Sequence, residues 1–229
     1  MKPICILIPA YHEEVEIGEV VRQARFYGDV VVVDDGSSDR TGGIATSAGA
    51  ILLRHSKNCG KGAALLTGLQ YFLKGSWEGV ILMDGDGQHC ADEIPKFLEA
   101  ARNPSIMMVI GNRMYQTQKM PWIRVATNLF MSKILSWIAG VWVPDSQCGF
   151  RYLKRVLVER MHLKASKFDI ESEMFLEASS ITKEIRSVSI VSIYGNEKSK
   201  IRPLPDTFRF LGLLVRFFIE KKFLRQNNY

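Results

Sequence analysis

The stretch Gly79-Val80-Ile81-Leu82-Met83-Asp84-Gly85-Asp86-Gly87-Gln88-His89 reads as a buried strand that delivers two carboxylates at its end. Alternation along an extended chain puts Asp84 and Asp86 on the same side, and Gly85 between them leaves room for a bulky ligand against the backbone. Hard oxygen ligands at this spacing suit Mg²⁺ or Mn²⁺, which keep coordination positions open for phosphate oxygens. An Asp-x-Asp also occurs in ordinary turns, where Asp and Gly are frequent. The pattern around it has to decide.

Upstream, Ile4-Cys5-Ile6-Leu7-Ile8 is a continuous apolar run ending at Pro9, as expected of a strand buried on both faces. Its end carries Pro9, Tyr11, His12, Glu13 and Glu14. A helix is expected over residues 15–26, with its carboxylates near the N-terminus where the helix dipole favours them. Val30-Val31-Val32-Val33 makes a second strand ending in Asp34 and Asp35, and a third unit runs through residues 41–48 to a strand at 50–53. A helix over 60–73 then leads to the central strand. Downstream the pattern predicts a helix over 92–101, a strand over 106–110 with Gly111-Asn112-Arg113 at its polar end, and a long apolar helix over 122–143. Asp145-Ser146-Gln147-Cys148-Gly149-Phe150-Arg151 is a polar turn leading into a strand or a helix start, residues 168–173 open another helix, and 184–194 alternates as an edge strand would.

Strands and helices alternating at these lengths predict an α/β fold, a mostly parallel sheet with helices on both faces and ligands collected at the carboxyl ends of the strands. A dehydrogenase-type dinucleotide fold is disfavoured because the first turn lacks Gly-x-Gly-x-x-Gly. Gly60-Lys61-Gly62 is no P-loop either, since His55 stands where the first glycine belongs and Gly62 where Ser or Thr belongs.

The chain has 229 residues, 47% of them hydrophobic, which supports one good core. Thirty Lys and Arg against twenty-four Asp and Glu give a net charge of +6 and favour an anionic partner, whether nucleotide phosphate, acidic lipid or nucleic acid. Cys5, Cys59, Cys90 and Cys148 show no Cys-x-x-Cys pairing, so neither a disulfide framework nor a zinc site is expected, and a reduced cytosolic setting follows. No signal peptide is expected at the start. The late apolar regions, 125–143 and 208–219, are interrupted by Lys133 and Arg216 and do not read as membrane spans. From Asp206 a basic helix rich in Phe, Leu and Val is expected, so the chain divides into a main domain, 1–205, and a C-terminal amphipathic element, 206–229.

Taken together, Ile8-Pro9-Ala10-Tyr11-His12-Glu13, Val33-Asp34-Asp35-Gly36-Ser37-Ser38-Asp39, Gly60-Lys61-Gly62-Ala63-Ala64, the central motif, Gly111-Asn112-Arg113 and the 145–151 turn resemble the family 2 glycosyltransferases of GT-A fold. Within them, the similarity is to the dolichol-phosphate mannose synthase-like branch, which glycosylates polyprenyl phosphates, and it spans residues 4 to 210. The resemblance implies an inverting glycosyltransferase that takes a nucleoside-diphosphate sugar donor, a polyprenyl phosphate acceptor and Mg²⁺ or Mn²⁺. It places Pro9, Tyr11, Glu13 and Asp35 in the nucleoside pocket, with Lys61 and Asp84 also on the nucleotide side. Asp84, Asp86 and Gln88 fall at the metal, with Asp86 counted as catalytic, and Arg113, Arg124, Lys198, Lys200 and Arg202 at the acceptor phosphate. Asp145 is the candidate for orienting the acceptor or taking its proton, with Asp169, Glu171 and Glu173 as rivals and helix capping as their ordinary alternative. His89 reads as structural.

Two departures stand out: His12 where the family more often has Asn, and Gly87 where it often has Leu. Larger members carry C-terminal membrane spans. Here the single basic amphipathic helix is expected to rest peripherally on an anionic membrane from the cytoplasmic side, or to pack on the main domain or on a second copy of the chain in a homo-oligomer. Nucleic acid is not an expected partner. The competing functions are the same donor chemistry on a glycan, lipid or protein acceptor, and a membrane-surface binding protein without turnover.

Overall fold

The computed structural model describes residues 4–115, 120, 122–164 and 170–191. Seven strands form one sheet in the order β3-β2-β1-β4-β6-β5-β7. In chain order they are β1 (Ile4–Ala10), β2 (Asp29–Asp34), β3 (Ile51–Arg54), β4 (Gly79–Leu82), β5 (Met108–Asn112), β6 (Arg151–Lys154) and β7 (Ile185–Ser189). The helices are α1 (Ile17–Ala24), α2 (Thr41–Ser47), α3 (Lys61–Lys74), α4 (Ile94–Ala101), α5 (Trp122–Ala139), α6 (Arg155–Val158) and α7 (Ile170–Ile181). The central strands β1, β2 and β4 are almost wholly buried and built of Val, Ile and Leu, as parallel strands covered by helices must be. β3 and β7 lie at the edges and are partly exposed.

The strand whose direction positions the site is β6. It runs antiparallel to both β4 and β5, while the other pairings are parallel. Arg151, at its start, stands opposite both Leu82 and Ile110, at the carboxyl ends of β4 and β5. The loop entering β6 therefore arrives beside Asp84 and Arg113, which follow those ends. An antiparallel strand inserted into a parallel sheet thus brings a third segment to the ligand-collecting edge.

Element boundaries differ from expectation for local reasons. α1 begins at Ile17 rather than at 15, because His12 sits in the left-handed region (φ 57°) and the carbonyl of Glu13 closes a turn onto the N–H groups of Glu16 and Ile17. A left-handed residue here explains why Asn is frequent at this position, and His is among the residues that tolerate it. α5 ends at Ala139 because Gly140 takes φ 64°, the usual helix-terminating geometry. The sheet pairing at β5 starts two residues later than read, at Met108. The segment over 92–101 opens with a 3₁₀ turn, Ala91–Glu93. The turn before Arg151 leads into a strand, and the 184–194 segment supplies β7. The C-terminal element, 206–229, lies outside the described residues.

α3 approaches β1 so closely that a Cβ on Gly68 would fall 2.1 Å from Leu7 Cδ1, whereas one on Gly43 in α2 would meet nothing within 4 Å. Gly68→Ala should therefore overpack the core and destabilise by about 1–3 kcal/mol. Gly43→Ala should be neutral or stabilising by up to about 1 kcal/mol through helix propensity. Opposite shifts in denaturation midpoint for the two variants are the expected result.

Candidate active site

Pro9, Ala10, Tyr11, His12, Glu13, Asp35, Asn58, Gly60, Lys61, Ala64, Asp84, Gly85 and Asp86 line a cleft of about 570 Å³ at the carboxyl ends of β1, β2 and β4. The sequence-derived nucleotide and metal residues meet here, apart from Gln88, which adjoins through its backbone N–H to the Asp86 carboxylate (3.1 Å). Tyr11 is stacked on the His12 ring at 4.1 Å, and His12 Nε2 lies 3.0 Å from the Ser38 hydroxyl. The Glu13 N–H donates to Thr41 Oγ1 at 2.9 Å. The Asp-Asp-Gly-Ser-Ser-Asp stretch thus braces the first loop from below.

Asp35 is buried with both oxygens engaged. Its Oδ1 accepts from the Cys59 N–H (2.9 Å) and pairs with His55 Nδ1 (2.7 Å), while its Oδ2 accepts from the Gly60 N–H (2.7 Å). His55 Nε2 continues to Thr67 Oγ1 at 2.9 Å. The loop before α3 is therefore tied to the end of β2, and Gly60 takes φ 98° to start the helix there. Ligand atoms of Asp35, His55 and Cys59 lie within 4.8 Å of one another, a grouping of metal-binding residue types that the sequence reading did not anticipate.

Lys61 Nζ stands 2.7 Å from Asp84 Oδ1 and 2.7 Å from Glu171 Oε1, joining the start of α3, the end of β4 and α7. Burial opposes the ammonium's charge, but the two carboxylates outweigh it and raise the Lys61 pKa. Burial alone would lift the Asp84 pKa; Lys61 and the neighbouring cationic groups instead hold it down at about 2. His89 is buried against Phe150, accepts the Asp84 N–H on Nδ1 at 3.1 Å, and is pushed down to about 4 chiefly by burial, so it is a neutral structural ring.

On the other side of Asp84 lies the β6 entry loop, where a Cβ on Gly149 would stand 3.1 Å from both Asp84 Oδ2 and Lys61 Nζ. The loop is held by Arg151, fully buried, which donates to the carbonyls of Ser146 (2.6 Å), Cys148 (2.7 Å) and Glu171 (2.7 Å). Arg113 forms a fork onto Asp145, Nε to Oδ2 at 2.7 Å and Nη2 to Oδ1 at 2.9 Å, and both residues are buried. Arg124 is half-buried in the first turn of α5. Glu173 Oε2 accepts the Lys164 N–H at 2.9 Å. Lys198, Lys200, Arg202 and Asp169 lie outside the described residues. Sequence reading treated Glu171 as a rival base or cap and did not single out Arg151 or His55. A charged residue inside the apolar run Phe150-Arg151-Tyr152-Leu153 was the available signal, because a buried guanidinium must have acceptors.

The sheet order, with its single antiparallel insertion among the described strands and a carboxylate-rich cleft at the strand ends, defines an α/β fold of the GT-A type. The chain matches the family described as Glycosyl transferase family 2 over residues 5–161, and it belongs to that family. It is 30% identical over 217 residues to a UDP-N-acetylglucosamine–dolichyl-phosphate N-acetylglucosaminyltransferase of Methanococcus voltae, covering 84% of this chain and 86% of that one. It is 28% identical over 211 residues to an undecaprenyl-phosphate mannosyltransferase of Micrococcus luteus, covering 83% of each. Such relatives support the polyprenyl-phosphate branch. In fold it resembles glucosyl-3-phosphoglycerate synthase of Mycobacterium tuberculosis, with a TM-score of 0.75 at 20% identity over 94% of this chain and 80% of that one. That enzyme has also been solved with Mn²⁺ and UDP-glucose. The chain is thus a glycosyltransferase, and no helix among its described residues is long and apolar enough to cross a membrane.

Replacing Lys61 by Met should leave Asp84 and Glu171 facing each other without their shared cation. Asp84's folded pKa, depressed in the parent, should rise above its unfolded value. The variant's deficit should therefore be greatest at neutral pH, about 2–3 kcal/mol, and shrink as acid protonates the carboxylates. Urea denaturation of both proteins between neutral and acidic pH, without added metal, measures it.

Proposed function

We propose that this glycosyltransferase moves a sugar, with inversion, from a nucleoside-diphosphate sugar to a polyprenyl phosphate, aided by Mg²⁺ or Mn²⁺. The observation that carries the reading is the charge of the cleft. Among its lining residues Glu13, Asp35, Asp84 and Asp86 face one ammonium, Lys61. A bare diphosphate would be repelled there, so a divalent cation fits the donor set, which is all hard oxygen. Asp84 and Asp86, with Gln88 adjoining, would hold it. Bound there, it would neutralise the charge that develops on the departing diphosphate.

The chain's own groups supply the rest. On this reading Tyr11 offers a ring face to the base, with Glu13 and Asp35, which line the same cleft, beside the nucleoside. The N-terminus of α3, opening at Lys61, faces the cleft and adds N–H donors suited to phosphate. An oxygen of the acceptor phosphate forms the new bond to the anomeric carbon as the bond from that carbon to the donor's diphosphate oxygen breaks, and the nucleoside diphosphate leaves. The attacking oxygen is already ionised, so no strong base is required. On this reading Arg113 draws the acceptor phosphate in and Asp145, both of whose oxygens accept from Arg113, positions that fork. The names of the Methanococcus and Micrococcus relatives support a polyprenyl phosphate acceptor, and the M. tuberculosis complexes support a sugar nucleotide bound with Mn²⁺.

The direct test is transfer of radiolabelled sugar from UDP- and GDP-sugars to a short-chain prenyl phosphate with Mn²⁺. Transfer to free glycans but to no prenyl phosphate would refute the acceptor. In thermal shift, the sugar nucleotide that raises the parent's melting point with Mn²⁺ should fail to raise that of Asp86→Asn, whose unliganded melting point stays near the parent's. An equal shift would remove Asp86 from the metal site. Arg113→Lys keeps the charge but loses the fork; it should raise the apparent KM for prenyl phosphate by about one to two decades and leave donor affinity unchanged. An equal loss on the donor side would assign Arg113 to the diphosphate.

A further inference from the structure

Three donors of different chemistry converge at the wall of the cleft. Asp35 follows β2, His55 follows β3 and Cys59 precedes α3, yet a carboxylate oxygen, a ring nitrogen and the thiol sulfur lie within 4.8 Å of one another. Backbone bonds hold them there. The His55 N–H donates to the Asp34 carbonyl at 2.9 Å, and the N–H groups of Cys59 and Gly60 donate to the two Asp35 oxygens at 2.9 and 2.7 Å. Gly36, at φ 76°, lies so close to the loop carrying Cys59 that a Cβ there would fall 2.5 Å from the Lys57 carbonyl carbon, which presses that loop onto the end of β2. Sequence spacing does not announce the cluster, because no Cys-x-x-Cys occurs and the carboxylate comes from another strand.

We propose that Asp35, His55 and Cys59 form a binding site for Zn²⁺, separate from the hard-oxygen pair Asp84 and Asp86, and that an ion there takes the Asp35 carboxylate away from the donor nucleoside. Thiolate, imidazole and one carboxylate are ligand types of zinc, with a fourth position open, whereas Asp84 and Asp86 offer oxygen alone. Tetrahedral zinc sets such atoms roughly 3.3–3.6 Å apart. His55 Nδ1 and Asp35 Oδ1, at 2.7 Å, need open by only about half an ångström to admit it. The Cys59 thiol is exposed, donating to the Lys57 carbonyl at 3.3 Å, and rotation about its Cα–Cβ bond brings the sulfur in. The ring is supported from behind. Beside a carboxylate Nδ1 donates, so Nε2 accepts from the Thr67 hydroxyl at 2.9 Å; when an ion takes Nδ1, the hydrogen moves to Nε2 and the same hydroxyl accepts it. The thiol proton leaves to solvent as the sulfur coordinates. Asp35, Asn58 and Gly60 line the cleft, so an ion on Asp35 stands at its wall and competes with the nucleoside. The ion site is argued from its three donors; only the competition rests on the donor reading proposed above.

The test titrates the full chain, in excess Mg²⁺, with Co²⁺ as the visible substitute for Zn²⁺. The parent should develop a thiolate-to-cobalt charge-transfer band that saturates at one ion per chain and is abolished by Zn²⁺. Cys59→Ser should show no band, Asp86→Asn should keep it, and Thr67→Val, which loses only the hydroxyl behind the ring, should bind Zn²⁺ about tenfold more weakly. No band in the parent, a band retained in Cys59→Ser, or a band lost in Asp86→Asn overturns the site. If Cys59→Ser cannot be isolated, Zn²⁺ should protect Cys59 of the parent from iodoacetamide, read by mass spectrometry, and unhindered alkylation overturns the site equally. With Mn²⁺ present, Zn²⁺ at about ten times its Kd should weaken sugar-nucleotide binding about tenfold in the parent and leave Cys59→Ser unaffected. Unchanged sugar-nucleotide affinity in the zinc-loaded parent overturns the competition. A chain that binds no sugar nucleotide would refute the donor reading and leave the ion site to stand or fall on the cobalt band.

Discussion

The site depends on one half-buried ammonium. Lys61 bridges two carboxylates, that of Asp84, which lines the cleft at the end of β4, and that of Glu171 on α7. Without it, two carboxylates at the edge of the core would face each other partly shielded from water, a costly arrangement for like charges. With it, three elements that are far apart in sequence share one electrostatic anchor. The same device recurs nearby: Arg113 holds Asp145, and Arg151 holds two carbonyls of the loop entering β6, those of Ser146 and Cys148, and that of Glu171 on α7. Cations thus fasten the antiparallel insertion to the parallel half of the sheet.

That fastening explains what was legible in the sequence and what was not. The apolar runs at 4–8, 30–33 and 80–83 announce strands because burial on both faces leaves no alternation to misread, and the clusters at their ends announce the ligand edge. The expected two-aspartate motif lines the cleft as read. Partnerships such as Lys61 with Glu171, or Arg113 with Asp145, span 110 and 32 residues. They have no local period and leave no spacing signature. The direction of β6 was open for a similar reason, since a four-residue strand carries too few positions to distinguish a parallel from an antiparallel neighbour.

The His12 position shows a subtler limit. Replacing a common Asn by His looks like a change in hydrogen bonding, and the ring does reach Ser38. The stronger constraint is on the backbone, φ 57°, which selects residue types that tolerate the left-handed region and is invisible to pattern reading. Gly87, at φ 72°, obeys the same rule inside the central motif. A Leu there would be strained in this conformation, so the departure from the family's more frequent residue goes with the local fold of the loop.

Charge is distributed in opposite senses at two scales. The chain as a whole is +6, yet the cleft lining sets four carboxylates against a single lysine. A uniformly positive protein would gather phosphates anywhere on its surface; here the net charge favours anions at long range, and on the proposed reading the acidic cleft would admit a diphosphate only with a compensating cation. A net attraction for anions and a local rejection by an acidic cleft can coexist because screening confines each to about a Debye length, roughly 8–10 Å in physiological salt. On the proposed reading the acidic cleft then sets which phosphate, and with what counter-ion, is accepted.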